Sequence, residues 1–230
     1  MKDQLRPIHF LMALYFLKEY STEGLNTTKF GVDEKTFRLY FWRGVKMIAN
    51  LDLICWENRN MHGNAGNAIR VSIDSIDCRI QEPSPFEEKW YSHKYKGPGI
   101  RYEVGVGING SIVWVHGGFP CREWSDLKIA QDVILHYLDD GEKLLADGGY
   151  RGDERIITPD GLNNSVSRIR SVCRARHENI NARLKNFNVL SDTYRHNLKK
   201  HPMCFHAVAN IVQAELLIED TLFKINDLHL

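Results

Sequence analysis

Arg101-Tyr-Glu-Val-Gly-Val-Gly-Ile-Asn-Gly110-Ser-Ile-Val-Trp-Val115 decides the fold class. Its first eight residues alternate with a period of two, the repeat of a strand with two different faces. Asn109-Gly110 is a dipeptide that accepts positive φ at low cost, and the chain after it resumes an extended, β-branched pattern. The stretch therefore reads as a β-hairpin. Upstream, Arg70-Val-Ser-Ile-Asp-Ser-Ile-Asp77 alternates in the same way and reads as a further strand.

Downstream, Trp124-Ser125-Asp126 supplies an N-cap for a helix expected to reach about residue 137. Lys143-Leu-Leu-Ala146 reads as a short apolar strand ending at Asp147-Gly-Gly-Tyr150, and Ile156-Ile-Thr158, just before Pro159, as an edge strand. Two long helices are expected over 166–186 and 203–220. A hairpin followed by a crossover helix and a further strand implies an α/β domain: a mixed sheet flanked by helices, in the order of the ribonuclease-H-like fold.

Residues 5–58 read as helical. An apolar segment through Leu11, Leu14 and Leu17 is ended by the turn signal Ser21-Thr-Glu-Gly24, and a second helix starts at Asp33, a good N-cap. Phe37, Tyr40, Phe41, Gly44, Val45 and Ile48 then recur at helical spacing. Short helices joined through a glycine turn make either a helix-turn-helix DNA reader or a small bundle packed on the main domain. Residues 59–69 are rich in Gly and Asn and read as a linker, so the expected division is a helical module over 1–69 and the α/β domain over 70–230.

The 230 residues are 43% hydrophobic, which suits an ordinary packed core. The apolar run over 10–17 is too short to span a bilayer and is followed by Lys18 and Glu19, so neither a membrane span nor a signal peptide is expected. An intracellular setting follows. The five cysteines contain no CxxC pair and read as small buried thiols. Net charge is only +1, but between residues 161 and 200 nine cations face two acids, a local net charge of +7. Such a stretch is either an electrostatic footprint for phosphates or a solvated helix face.

Three acids fall on successive elements. Asp74 lies inside the first strand, Asp147 at the carboxyl end of the strand after the crossover helix, and Glu178 in the basic helix. A carboxylate on a buried strand is costly to desolvate unless something pairs with it, and a divalent cation is such a partner. Two ions held roughly 4 Å apart can serve the attacking and leaving oxygens of a phosphodiester. Arg174, Glu178 and Lys185 are separated by near-whole helical turns and share one face. The pattern suits a metal-holding acid between two phosphate-gripping cations, and equally a surface ion-pair ladder. His201-Pro-Met-Cys204-Phe-His206 reads as a helix start rather than a metal site. The run from Trp90 to Lys96 interleaves aromatics with cations, which suits stacking on unpaired bases or a loop packed on the sheet edge.

Leu144-Leu-Ala-Asp147-Gly-Gly-Tyr150-Arg151-Gly152 and Glu178-Asn-Ile-Asn-Ala-Arg-Leu-Lys185 resemble the second and third acidic blocks of PIF/Harbinger-type DDE transposases. The Arg–Glu–Lys spacing is similar to that of bacterial insertion-sequence transposases, although Ser171 stands where their signature has a tyrosine. Tyr91-Ser-His-Lys-Tyr-Lys-Gly-Pro-Gly99 and Gly117-Gly-Phe-Pro-Cys121 look like linking segments of the same group. The resemblance runs from about Val71 to the C-terminus. It implies a ribonuclease-H-like transposase with Asp74, Asp147 and Glu178 as catalytic, metal-binding residues using Mg²⁺ or Mn²⁺. At the first motif Asp77 is a rival to Asp74, since the usual Asp-Gly-Thr is here Asp74-Ser75-Ile76-Asp77. The implied reaction is phosphodiester hydrolysis followed by strand transfer from the freed 3′-hydroxyl, with Arg168, Arg170, Arg174, Arg176 and Lys185 holding DNA. The resemblance also implies a nuclear setting in a eukaryotic host (cytoplasmic otherwise), and leaves room for a separate DNA-binding partner protein and a homo-oligomer. Two rivals stand beside it: a domesticated DNA- or protein-binding descendant, and a plain metal-dependent nuclease.

Overall fold

The computed structural model describes residues 5–60, 69–158 and 164–218. β1 (Ile69–Arg79) is central in a six-stranded mixed sheet. On one side β3 (Gly97–Gly107) pairs antiparallel with it, and β4 (Ile112–Pro120) pairs antiparallel with β3. The expected hairpin joins them, with Gly110 at φ +89° in the turn. On the other side β5 (Lys143–Leu145) runs parallel to β1 and β6 (Ile156–Ile157) parallel to β5. The two-residue β2 (Tyr91–Ser92) pairs with the start of β3. An antiparallel hairpin on one flank of β1 and parallel strands on the other is the ribonuclease-H-like arrangement.

Alternation along β1 sorts its side chains. Ile76 and Cys78 join a core beneath α5 (Asn164–Lys185) and α7 (His201–Ile218), which contribute Ile180, Leu184, Phe205 and Val208. Val71 and Ile73 face the other way, into a core closed by Ala130 of α4 (Asp126–Asp132) and by Ile134 and Leu135. Ser125 caps α4 as expected, its hydroxyl accepting from Lys128 N–H at 3.2 Å. The helix stops at Asp132 rather than near 137. Val133 leaves the helical basin at φ −134° and ψ −66°, and a 3₁₀ turn over Ile134–Tyr137 puts the adjacent Ile134 and Leu135 both in the core.

The amino-terminal part holds three helices: α1 (Pro7–Glu19), α2 (Glu23–Phe30) and α3 (Glu34–Ala49). Asp33 caps α3, accepting from Thr36 N–H at 2.9 Å. The stretch read as a turn at Ser21–Gly24 instead opens α2, because Tyr20 alone takes the left-handed conformation (φ 47°) and turns the chain in one residue. Gly31 ends α2 at φ +64°. α1 and α3 cross closely at Gly44, where a Cβ would lie 2.7 Å from Ala13 Cβ.

These helices are not a separate module. Phe16 of α1 and Phe37, Phe41 and Val45 of α3 belong to the same core as α7 and the β1/β3 face of the sheet. Each such fully buried side chain contributes roughly 1.5–3 kcal/mol. The boundary expected at residue 69 is therefore not a boundary of packing, and the expected linker falls mostly on 61–68, outside the described residues. Cys78, Cys121, Cys173 and Cys204 are buried free thiols and Cys55 is half-buried. Among the described residues no helix is long and apolar enough to cross a membrane.

Candidate metal centre and nucleic-acid contacts

Asp74, Asp147 and Glu178 line one cleft of about 360 Å³, together with Ser72, Cys173, Arg174 and His177. β1 supplies the first acid, the turn after β5 the second and α5 the third. The Asp74 carboxylate accepts from Ser75 N–H at 2.8 Å and from the Asn181 amide at 3.1 Å. Burial pushes its pKa up, the Ser75 bond pulls it back, and the nearby Asp147 charge adds to the rise.

Asp77 does not share this cleft. It is buried on the opposite face, where Arg101 grips it with two bonds (2.7 and 3.1 Å) and the Ser92 hydroxyl donates at 2.6 Å. Burial alone would raise its pKa, but the bonds from Arg101 and Ser92 outweigh that and leave it below the ordinary range. It is a structural ion pair.

Asp147 is exposed and accepts from Gly149 N–H at 2.8 Å. A fourth carboxylate, which sequence reasoning took only for part of a cap, stands behind it. Asp126 accepts from Ser75 Oγ at 2.7 Å and pairs with Arg101 at 2.9 Å. A Cβ at Gly149 would lie 2.7 Å from Asp126 Oδ2 and 3.1 Å from Asp147 Oδ1, so the two acids leave room there only for glycine. Burial raises the Asp126 pKa, Arg101 opposes the rise and Asp147 adds to it. Deeper still, Glu103 is fully buried, its carboxyl accepting from Trp114 Nε1 at 3.0 Å. Burial pushes it up to about 8, so it is largely protonated at neutral pH.

Glu178 is turned outward onto Arg174 at 3.0 Å, both side chains being mostly exposed. Among the described residues no three of His, Cys, Asp or Glu are close enough as they stand to hold an ion. The donor chemistry nonetheless fits one. Three carboxylates on one cleft are hard oxygen donors of the kind Mg²⁺ and Mn²⁺ take. An exposed i,i+4 ion pair is worth only about 0.3–0.5 kcal/mol, so it holds Glu178 weakly.

Sequence reasoning also missed His177 and Asn181, the neighbours of Glu178 on α5. The imidazole Nε2 of His177 hydrogen-bonds with Ser72 Oγ at 2.9 Å, and the same hydroxyl lies 3.3 Å from the Val106 carbonyl. Burial lowers the His177 pKa to about 4 and keeps the ring neutral. A buried histidine and a half-buried asparagine on a helix carry no signal at the level of spacing.

The basic stretch is only partly a surface. Arg174 lines the cleft. Arg176 does not face DNA: it is 2% exposed and donates to the Ile108 carbonyl. Lys185 is turned inward too, donating to the carbonyls of Asp77 (2.7 Å) and Leu190 (2.6 Å). The side chains of Arg168 and Arg170 lie outside the described residues. In the aromatic and basic loop, Tyr95 is pinned by its hydroxyl to the Asp77 carbonyl at 2.6 Å, while His93, Lys94 and Lys96 are exposed. The loop is thus packed through its aromatics and presents its cations.

Residues 73–213, more than half of the chain, match the family model described as DDE superfamily endonuclease. Comparison with curated proteins and with solved structures gives no match.

Proposed function

The chain belongs to the DDE superfamily endonucleases, and from that premise we propose that it cuts DNA phosphodiesters with Mg²⁺ or Mn²⁺ as a transposase does. The observation that carries this reading is the meeting of Asp74, Asp147 and Glu178, from three elements far apart in sequence, on one cleft. These three carboxylates would hold the metal. Bound there, divalent ions supply activation of the attacking oxygen and charge neutralisation at the leaving oxygen.

The protein's own groups do the rest. Ser75 N–H and the Asn181 amide fix the Asp74 carboxylate, and Gly149 N–H fixes that of Asp147. Arg174 would exchange the Glu178 carboxylate for a DNA phosphate, since both suit a guanidinium. Release of Glu178 by that exchange would let it join the two aspartates. Ile73, Leu145 and Ala146 line the cleft with apolar surface that strengthens electrostatic contacts inside it. Lys94 and Arg151 would hold flanking phosphates. The exposed face of α3, with Lys35 and Lys46, would contact DNA further out. The acidic blocks favour the PIF/Harbinger branch, and with it strand transfer by the freed 3′-hydroxyl.

The test is supercoiled plasmid incubated with the purified chain and Mg²⁺ or Mn²⁺. Nicked and linear products are expected, and none with Asp147→Asn or Glu178→Gln at unchanged melting temperature. Robust cleavage by Asp147→Asn sinks the mechanism.

A further inference from the structure

α5 meets β1 through a regular ladder. His177 reaches Ser72, Asn181 reaches Asp74, and Lys185 reaches the carbonyl of Asp77. The three helical residues are four apart, so each step advances about 6 Å along the axis. Ser72 and Asp74 are two apart, about 6.6 Å along a strand. The two repeats nearly match, so the helix lies alongside the strand in the same direction and each turn finds a partner.

The first two rungs flank the acids. His177 immediately precedes Glu178, and Asn181 lies three residues beyond it on a neighbouring part of the helix face. The Asn181 amide touches Asp74 itself, at 3.1 Å.

We propose that Asn181 is a positioning residue that orients the Asp74 carboxylate for metal, and that with His177 and Lys185 it sets the height at which α5 presents Glu178. The inference rests on the metal-dependent reading above. The amide donates to one carboxylate oxygen, Oδ2, while Ser75 N–H engages the other, Oδ1. Both leave lone pairs for a cation. Outer partners of this kind fix a ligand's direction, and losing one typically weakens metal binding about 10–100-fold.

The experiment measures Mn²⁺ binding by the paramagnetic resonance signal of free Mn²⁺, and melting temperature without metal, on the full chain. The parent binds Mn²⁺ and Asp147→Asn does not. Asn181→Ala is expected to weaken binding about 10–100-fold while the metal-free melting temperature moves by no more than about 3 °C. Asn181→Gln, which keeps an amide donor, recovers part of the affinity. Asn181→Leu has nearly the shape of the parent residue and decides the matter should the alanine variant fold poorly. Parent-like Mn²⁺ affinity in the Ala or Leu variant, with binding lost in Asp147→Asn, overturns this inference and leaves the metal reading standing. A parent that binds no Mn²⁺ overturns both.

Discussion

Asp74 and Asp77, three residues apart on β1, face opposite sides of the sheet: the first opens on the cleft and the second is locked to Arg101. The odd spacing forces this, because side chains alternate along a strand. Replacement by asparagine should therefore separate them. Asp74→Asn is expected to abolish cleavage and Mn²⁺ binding with little change in melting temperature. Asp77→Asn removes the buried charge that pairs with the half-buried Arg101, a loss of about 3 kcal/mol, or roughly 6–12 °C in melting temperature. Thermal melts and plasmid nicking on both variants check this, and the reverse pattern would move the first acid to Asp77.

Gly149→Ala puts a methyl group between Asp126 and Asp147, within 2.7 and 3.1 Å of their oxygens. One carboxylate must move, and Asp147 is the more exposed of the two. Cleavage should drop at least about tenfold, since each 1.4 kcal/mol of lost transition-state stabilisation costs that factor. Single-turnover nicking rates measure it, and an unimpaired rate would show that the turn relaxes freely.

Among the cations, Arg174 and Lys185 should behave differently. Arg174→Ala is expected to reduce the salt slope of DNA binding by about one. Lys185→Ala should leave that slope alone and lower the melting temperature, because the Asp77 and Leu190 carbonyls lose their donor, at about 1–3 kcal/mol. Binding titrations at several salt concentrations decide. A slope reduced by Lys185→Ala would return this residue to the DNA surface.

Stability should fall on both sides of a neutral-to-acidic optimum. Glu103 titrates near 8 when folded against an ordinary 4.5, so between those values the native state keeps a proton that the unfolded chain has released. Rising pH then removes up to about 1.4 kcal/mol per pH unit within that window. His201, buried against the Tyr102 hydroxyl at 2.7 Å, is lowered to about 3. Its folded form stays neutral while the unfolded chain gains a proton below about 6.5, so stability is lost as pH falls. Melting curves from pH 4 to 9 should show a shallower decline between about pH 5 and 8 for Glu103→Gln than for the parent. Superimposable profiles would exclude Glu103 as the source.

The sheet was legible because its signals are local: period-two alternation, the Asn109-Gly110 turn and the Ser125 cap each name their element without help from the rest of the chain. That Asp74, Asp147 and Glu178 line one cleft was legible from motif resemblance. Asp126, Glu103, His177 and Asn181 were not, because their roles depend on which strand face meets which helix. The basic stretch misled for the same reason: formal charge counts Arg176 and Lys185 as surface, whereas their donors cap carbonyls inside the fold. The packing across residue 69 was not legible, because a change in sequence texture marks a change of secondary structure, and packing need not follow it.

The shared core of α3 and α7 has a consequence for the growing chain. Phe37, Phe41 and Val45 pack with helix α7, which begins about 150 residues later. At roughly 5–20 residues per second, a ribosome takes about 8–30 s to make the intervening chain. During that interval the apolar face of α3 lacks the α7 part of its cover, far longer than the microseconds in which a helix forms. The nascent chain thus carries an incompletely covered apolar face until translation reaches α7, the kind of exposed surface that favours aggregation.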